Sequence, residues 1–400
     1  MKLSNLADVM PSSPMRKLMP HANEAKKKSV HIYHLNIGDP DIKTPDVMIQ
    51  TLTNWSQNPI SYADSHGHAD LLHSLSIYYN NLGYDFVDKR HLQITMGASE
   101  GLLWTFMALG NPDDEFIVFE PFYANYNSFA TMAKVKLIPI ATDIENGFHL
   151  PNIEIIKQAI THKTKGILIC NPGNPTGTVY TKKELDDLVQ IVRENKLFLI
   201  SDEVYREFTY DGTKAISLLS YKEQYPEGII IVDSLSKRYS ICGARVGVLV
   251  SFNETYMQTI LKFAQSRLSA GLVEQVVASK MNEVTQEYFD NVNKEYRERR
   301  NVLFDSLQEI PGVFCTKPQG AFYLIVKLPV QDAENFAKWL LTDFRDNNET
   351  IMIAPAEGFY KTPGLGTNEV RIAYVLNQKD LMRSAEILKI ALSKYNHIQT

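Results

Sequence analysis

Short apolar runs recur along the chain from about residue 92, and they predict the strands of a sheet. The runs are rich in Ile, Val and Leu with little polar alternation, which is typical of parallel strands covered on both faces. In chain order they read LQITM, FIVF, VKLIPI, GILIC, LFLIS, IIIVDS and VGVLVS. Apolar positions at helical spacing fill several gaps between the runs, as at Leu102, Leu103, Phe106 and Met107, and at Leu185, Leu188, Ile191 and Val192. Strands that alternate with helices predict an α/β domain with a mainly parallel sheet.

The pattern changes after about residue 300. GAFYLIVKL (320–328) and VRIAYVL (370–376) predict strands on either side of a helical segment, DAENFAKWLLTDF. We expect these elements to form a smaller α+β domain, which the N-terminal segment completes. The predicted division is a large domain over residues 46–300 and a small domain built from residues 1–45 and 301–400.

Charge and composition narrow the class of protein. The 400 residues carry a formal net charge of −5, and the 44% hydrophobic and 22% charged content is that of a soluble globular protein. A mildly acidic chain disfavours nucleic acid or an anionic membrane as partner. The basic runs at 26–28 and 297–300 (RERR) lie among acidic and polar neighbours and predict solvated helix faces.

The cysteine pattern and the apolar runs predict a cytoplasmic protein. Cys170, Cys242 and Cys315 are far apart and show no CxxC spacing, so neither a disulfide framework nor a zinc site is indicated. No apolar run approaches the roughly 18 residues of a membrane helix, and the N-terminus lacks the apolar core of a signal peptide. We therefore expect no metal and no membrane partner.

Polar motifs follow four of the predicted strands. GASE follows LQITM, NPGNPTG follows GILIC, SDEVY closes LFLIS, and SLSK closes IIIVDS. In parallel α/β sheets, ligands collect at the loops after the carboxyl ends of the strands. The sequence therefore predicts one site at which these four motifs meet.

Two of the motifs suit a phosphate group. GASEG (97–101) is a small-residue turn that opens a helix, which leaves backbone N–H groups free for an anion, and Ser99 adds a hydroxyl. Ser234, Ser236 and Arg245 add hydroxyls and a guanidinium that can bind two phosphate oxygens at once. Taken singly, these residues are ordinary turn and surface residues. Together they predict an anion site.

Lys237 lies within this group, and its amine can serve as a counter-charge or as a nucleophile that condenses with an aldehyde. An aldehyde cofactor that carries a phosphate is pyridoxal 5′-phosphate, which also needs an acidic residue near its ring nitrogen. Asp202 closes a predicted strand and could fill that role, although a helix N-cap is an equal alternative. Asn174, in the rigid NPGNPTG loop, could donate to the phenolic oxygen of the ring.

These motifs form an ordered set that resembles a known family. The set comprises NIGDPD, GASEG, EPFYANY, NPGNPTG, SDEVY, SLSK with Arg245, and NEVRIAY, and it extends over essentially the whole chain. The chain resembles the class I/II aminotransferases, the fold-type I enzymes that depend on pyridoxal phosphate. The resemblance implies a large domain with a mainly parallel seven-stranded sheet, a smaller α+β domain, and a homodimer with shared active sites.

The resemblance also implies a role for each matching residue. Lys237 would hold the cofactor as a Schiff base and act as the general acid and base. Asp202 would pair with the ring nitrogen, and Asn174 and Tyr205 would contact the phenolic oxygen. The remaining cofactor residues implied are Tyr123 against the ring face, Ala98, Ser99, Ser234 and Arg245 at the phosphate, and Tyr62 from the neighbouring subunit. Gly38, Asn174 and Arg371 would bind the substrate, with Arg371 clamping its α-carboxylate.

The terminal segments favour a substrate. SSPMRKLMP and PAEGFYKTPGLG resemble bacterial aspartate aminotransferases, which implies transfer of the amino group of aspartate to 2-oxoglutarate. One bacterial subgroup has a lysine for the distal carboxylate where this chain has Ser99, so Arg267 and Arg16 are the candidates here. An aminotransferase for aromatic or other neutral amino acids, and a lyase that uses the same cofactor, remain alternatives.

Other classes fit less well. A nicotinamide dehydrogenase needs GxGxxG between a strand and a helix, whereas GLGTNE (364–369) lacks the third glycine and leads into a predicted strand. His66 and His68 form an HxH pair without a carboxylate cluster, so a metal hydrolase is disfavoured. A transcription regulator on the same fold would need a DNA-binding segment ahead of SSPMRKL, and we expect none.

Overall fold

The seven apolar runs form the seven strands of one central sheet, as predicted. The computed structural model describes residues 1–399. The strands of the chain are β1 (His31–His34), β2 (Leu92–Thr95), β3 (Glu115–Glu120), β4 (Lys136–Ala141), β5 (Thr164–Cys170), β6 (Phe198–Asp202), β7 (Ile229–Ser234), β8 (Gly247–Ser251), β9 (Tyr323–Lys327), β10 (Glu349–Met352), β11 (Ala354–Pro355) and β12 (Glu369–Ala373).

The helices lie between and around these strands. They are α1 (Asn5–Val9), α2 (Met19–Lys27), α3 (Asp46–Thr53), α4 (Ala69–Asn81), α5 (Gly97–Leu109), α6 (Asn125–Ala133), α7 (Ile153–Gln158), α8 (Lys182–Asn195), α9 (Leu235–Arg238), α10 (Glu254–Arg267), α11 (Leu272–Ser279), α12 (Gln286–Gln308), α13 (Ala333–Thr342) and α14 (Gln378–Gln399). None of the helices within residues 1–399 combines the length and apolar content needed to cross a membrane.

The central sheet has the strand order β2-β8-β7-β6-β5-β3-β4. All neighbouring pairs are parallel except those that β8 makes with β2 and β7. Buried apolar side chains cover both faces, which explains why the strands read as continuous apolar runs. The mainly parallel seven-stranded α/β fold is therefore confirmed.

Strand register brings the predicted polar motifs to one level of the sheet. Asp202, the last residue of β6, pairs with Cys170 at the end of β5 on one side and with Val232 of β7 on the other. The loops that follow β5, β6 and β7 therefore leave the sheet at the same edge. NPGNPTG, SDEVY and SLSK are held side by side because their strands end together.

The segments outside the central sheet form two smaller sheets. β9, β12 and β11 form an antiparallel sheet, and β1 from the N-terminal segment pairs in parallel with β10. A second core joins apolar residues of these strands to α2, α12, α13 and α14. The proposed boundary at residue 300 falls inside the long helix α12, and the division into two domains stays a prediction.

The interpretation of RERR as a solvated helix face is wrong for its last two residues. Arg299 and Arg300 are buried. The guanidinium of Arg299 donates to Asp41 at 2.6 Å and to Glu295 at 2.7 Å, and that of Arg300 donates to Asp211 at 2.7 Å. Buried guanidinium groups require such partners, and sequence spacing does not show that distant carboxylates will supply them.

Candidate active site

A cavity of about 560 Å³ opens at the carboxyl edge of the central sheet. The antiparallel sheet of β9, β12 and β11, called the second sheet below, closes one side of the cavity, since Tyr323 of β9 and Arg371 of β12 lie in the cavity wall. Of the twelve predicted site residues, eleven line this cavity: Gly38, Ala98, Ser99, Tyr123, Asn174, Asp202, Tyr205, Ser234, Lys237, Arg245 and Arg371. Tyr62 does not line it.

Lys237 is held at the cavity wall by a short helix. Ser234, the last residue of β7, caps α9 by accepting a hydrogen bond from the backbone N–H of Ser236. The Lys237 amine donates to the carbonyl oxygen of Gly38 at 2.7 Å and lies 3.3 Å from the Cys242 sulfur. Both of these hydrogen-bond partners are uncharged groups.

A cluster of buried charges ties α9 to the loop after β6. Arg238, next to Lys237, donates to both oxygens of Asp233 at 3.0 and 2.8 Å and pairs with Glu207 at 2.8 Å. Arg206 also donates to Asp233. Burial alone would raise the pKa of Asp233, but the two guanidinium groups outweigh it and hold that pKa below its usual value. The cluster fixes the loop that follows Asp202 relative to the helix that carries Lys237.

Asp202 is a buried carboxyl group whose environment contrasts with that of Asp233. Its Oδ2 accepts from the hydroxyl of Tyr126 at 2.8 Å, and its Oδ1 accepts from the N–H of Val204 at 3.3 Å. Burial raises its pKa to about 6, and the hydrogen bonds offset only part of this. Within residues 1–399 no cationic side chain forms an ion pair with it. A ligand N–H with positive charge would supply what this carboxylate lacks.

The phosphate-type groups also converge. α5 begins at Gly97, whose φ of +74° disfavours any other residue, and a Cβ there would lie 2.3 Å from the Arg245 Nη2 and would displace it. The guanidinium of Arg245 therefore lies at the N-terminus of a 13-residue helix. Two positive features at one point favour an anion there.

Arg371 lies on β12 and is buried against the NPGNPTG loop that follows β5. Its Nη1 donates to Asn174 Oδ1 at 3.1 Å and its Nη2 donates to the Asn36 carbonyl at 2.6 Å. Because a guanidinium only donates, the Asn174 oxygen must face Arg371, and its Nδ2 then lies 3.5 Å from the Tyr205 hydroxyl. Burial lowers the pKa of Arg371. An anionic ligand would favour the charged form of this guanidinium.

Sequence reasoning missed two residues of this site. Tyr126 lies within EPFYANY, but only its hydrogen bond to Asp202 shows its role as a donor. Tyr323 lies in the apolar run GAFYLIVKL and was interpreted only as part of a strand. A tyrosine in a buried strand carries a hydroxyl that needs a hydrogen-bond partner, and this is the one signal in the sequence that could have indicated Tyr323 as a site residue.

The structure separates the candidates for a distal carboxylate and leaves Tyr62 apart. Arg16 lines the cavity. Arg267 does not, because its guanidinium pairs with Glu100 at 2.9 Å and lies over the Trp104 ring at 5.1 Å. The side chain of Tyr62 is 81% exposed. No group of three or more metal-ligating side chains lies close enough to hold a metal ion within residues 1–399.

Fold and site together define an α/β transferase of fold type I. The family model "Aminotransferase class I and II" matches residues 30–388, and the chain belongs to that family. Membership of this family makes the protein an aminotransferase.

The chain is similar to named enzymes along nearly its whole length. It is 28% identical to the aspartate aminotransferase of Bacillus subtilis, over 99% of this chain and 100% of that protein. The solved aspartate aminotransferase of Thermotoga maritima superposes with a TM-score of 0.89 at 27% identity, covering 98% of this chain and 100% of that one. The alanine aminotransferase of Pyrococcus furiosus gives a TM-score of 0.90 at 28% identity over the same shares. Relatives named for different substrates are thus about equally similar to this chain.

Proposed function

We propose that this aminotransferase uses pyridoxal 5′-phosphate to move the α-amino group of L-aspartate to 2-oxoglutarate. The observation that carries the proposal is the distribution of charge in the cavity. Its charged lining residues are four cations, Arg16, Lys237, Arg245 and Arg371, and one carboxylate, Asp202. Three of these cations have roles with the cofactor and the α-carboxylate. Arg16 is left for a second carboxylate on the substrate.

The residues of the cavity fit pyridoxal phosphate. Lys237 would hold its aldehyde carbon, Asp202 its ring nitrogen, Asn174 and Tyr205 its phenolic oxygen, and Tyr123 its ring face. Its phosphate would bind to the start of α5 at Ala98 and Ser99, and to Ser234 and Arg245. When bound, this group supplies an aldehyde for covalent attachment of amines and a ring that withdraws electrons. Two features support the fit: the buried Asp202 has no ion-pair partner among the described residues, and Gly97 lies in contact with Arg245.

The side chains then divide the work of the reaction. Arg371 binds the α-carboxylate and, with Asn174, orients the substrate so that its α-hydrogen faces Lys237. The Lys237 amine, next to the Gly38 carbonyl, removes the proton from the α-carbon and later delivers one as general acid. Asp202 would accept a hydrogen bond from the ring nitrogen of the cofactor, and the burial of Asp202 would strengthen that bond. Gly38 leaves no room for a side chain, since a Cβ would lie 1.8 Å from the Tyr323 hydroxyl.

The function is tested by incubating the purified protein with pyridoxal phosphate, aspartate and 2-oxoglutarate. We expect glutamate and oxaloacetate in equal amounts. Release of ammonia without glutamate would indicate a lyase and overturn the proposal. A panel of acidic, aromatic and small amino acids tests the substrate class, because higher activity with aromatic or small neutral donors would favour the alternative aminotransferase specificities.

Arg16 is expected to select for the acidic side chain. Changing Arg16 to Gln removes the charge and keeps most of the length, and kcat/KM for aspartate should fall about tenfold, because an exposed charge-assisted contact is weaker than a buried one. The value for alanine should stay within about twofold, since alanine has no distal carboxylate. Steady-state kinetics with both donors measure the ratio.

Arg267→Gln is the matched control for this experiment. Arg267 contacts Glu100, whose carboxylate also accepts from the Met96 N–H at 2.7 Å, so its loss should affect both donors alike. Equal losses for aspartate and alanine in Arg16→Gln would remove Arg16 as the specificity residue. A loss confined to aspartate in Arg267→Gln would reassign that role.

A second copy of the chain is proposed to complete the phosphate site through Tyr62. The exposed side chains of Ile60 and Tyr62 lie outside the cavity of their own chain, and Ser65 nearby donates to the carbonyl of the exposed Leu268. Mixed dimers of Lys237→Ala and Tyr62→Ala chains would contain one intact site in each hybrid. Refolding an equal mixture of the two variants should then give about a quarter of wild-type activity from the hybrids, in addition to the activity of the separate variants. Activity that stays at the level of the separate variants would contradict the shared site.

A further inference from the structure

Tyr323 contacts a proposed cofactor residue from the opposite side of the cavity. It is buried at the start of β9, and its hydroxyl lies 2.9 Å from the hydroxyl of Tyr205. The two rings meet edge to face, with centroids 5.5 Å apart. Tyr323 therefore joins the second sheet to the loop after β6 through one hydrogen bond between two hydroxyl groups.

The hydrogen bond between the two tyrosines has only one possible direction when the Tyr205 hydroxyl donates to a ligand in the cavity. Each tyrosine hydroxyl has one hydrogen and can accept as well. Asn174 reaches Tyr205 with Nδ2, a donor, because Arg371 holds its oxygen. If Tyr205 gives its hydrogen to a ligand in the cavity, Tyr323 must donate to Tyr205. Burial and the contact with Tyr323 raise the pKa of Tyr205 well above its usual value, so Tyr205 keeps its proton.

The hydroxyl and the ring of Tyr323 have separable contacts. The ring lies under the guanidinium of Arg371 at 4.5 Å and against Phe322 at 4.9 Å. These contacts survive when tyrosine is replaced by phenylalanine. The bond to Tyr205 does not. A Tyr323→Phe variant therefore tests the hydroxyl alone and leaves the support of the α-carboxylate clamp in place.

We propose that Tyr323 is a positioning residue that donates to Tyr205 and so strengthens the hydrogen bond that Tyr205 gives to the phenolic oxygen of the cofactor. The inference rests on the proposed function and adds a residue to it. Hydrogen bonds in a chain polarise one another, and a bond accepted by Tyr205 makes its own hydrogen a better donor. This series of hydrogen bonds thus leads from Tyr323 through Tyr205 into the cavity.

The expected consequence is a shift in the pH titration of the loaded protein. A donor at the phenolic oxygen draws negative charge away from the nitrogen of Lys237 nearby, which lowers the pH at which the bound cofactor loses its proton. Tyr205→Phe should raise the midpoint of the visible absorbance change by about 1–2 units. Tyr323→Phe should raise it by about 0.3 unit, since only the strengthening is lost.

The double variant decides whether Tyr323 acts through Tyr205. Tyr205→Phe with Tyr323→Phe should titrate like Tyr205→Phe alone, because no donor is left for Tyr323 to strengthen. Tyr374→Phe is the control for loss of a buried hydroxyl in the same core, since the Tyr374 hydroxyl donates to the Ala321 carbonyl at 3.2 Å and does not line the cavity. Its midpoint should equal that of the wild type.

The outcomes separate this role from the proposed function. A loaded wild-type protein without a visible band that titrates would overturn both. A normal wild-type titration with an unchanged midpoint in Tyr323→Phe would overturn the role of Tyr323 alone. A shift in Tyr323→Phe that adds fully to the shift of Tyr205→Phe would also overturn it, because Tyr323 would then act on the cofactor by another route.

Discussion

Replacing Lys237 by alanine is expected to abolish covalent attachment of pyridoxal phosphate and to lower transamination by at least about 10⁴-fold. One side chain supplies both the nucleophile and the general acid/base, so both contributions vanish together. The methyl group of alanine also leaves the Gly38 carbonyl without its donor. Borohydride reduction of the loaded protein followed by peptide mass spectrometry reports the attachment at residue 237 directly.

Two variants control this experiment. Lys214→Ala removes an exposed lysine that does not line the cavity, and it should keep both the adduct and the activity. Lys237→Arg keeps a positive charge without a competent nucleophile, and it should fail like alanine if attachment is the function of Lys237. A borohydride-stable adduct of equal yield in Lys237→Ala would show that another amine carries the cofactor and would refute the proposed site.

Replacing Asp202 by asparagine is expected to move cofactor binding and protein stability in opposite directions. Loss of a charge-assisted hydrogen bond should weaken binding of pyridoxal phosphate by about tenfold to a hundredfold. Transamination should fall by about 10²–10³-fold, since a buried charge aimed at the reacting group contributes on that scale. Fluorescence titration of the cofactor-free protein and steady-state kinetics measure the two losses.

The stability of the cofactor-free protein should rise at the same time. The folded-state pKa of Asp202 is about 6, above its usual 3.8, so the folded chain binds more protons than the unfolded chain between those values. Stability is therefore lost as pH rises through this window, and above pH 6 the loss amounts to roughly 3 kcal/mol. Asparagine does not ionise. Cofactor-free Asp202→Asn should thus be more stable than the wild type at pH 7.5, with a smaller difference at pH 5.

Urea unfolding at the two pH values tests this prediction, and Asp233 provides the contrast. Asp233 is equally buried but holds Arg206 and Arg238, so Asp233→Asn leaves two guanidinium groups short of charge and should lose about 3–5 kcal/mol at neutral pH. A stability of Asp202→Asn that is lower than the wild type at pH 7.5 would show that the cofactor-free site already satisfies the Asp202 carboxylate.

Much of the fold followed from the sequence because the central strands are covered on both faces. Each apolar run became one strand, and four of the strands ended where a polar motif began. Since parallel strands end at a common edge, the polar motifs could be assigned to one site without knowledge of the strand order. The resemblance then assigned roles to the residues within those motifs, and these roles stay predictions until tested.

The sequence did less well where partners come from distant segments. Arg299 and Arg300 lie in a run that looks solvated, yet both are buried and paired with carboxylates far along the chain. Arg16 and Arg267 were equal candidates for the distal carboxylate, and only their surroundings separate them. Charge by itself does not reveal burial, because burial depends on which other segments fold over a residue.

The sequence alone determined the class of fold, the edge of the sheet that carries the site and the motifs that meet there, because local periodicity and the rule of strand ends suffice for these. Only the tertiary structure decided how the motifs touch. It placed the Gly38 carbonyl on Lys237 across 199 positions and Arg371 on Asn174 across 197, and it brought Tyr323 to Tyr205. Such contacts depend on the packing of one sheet against another, and no local pattern in the chain encodes that distance.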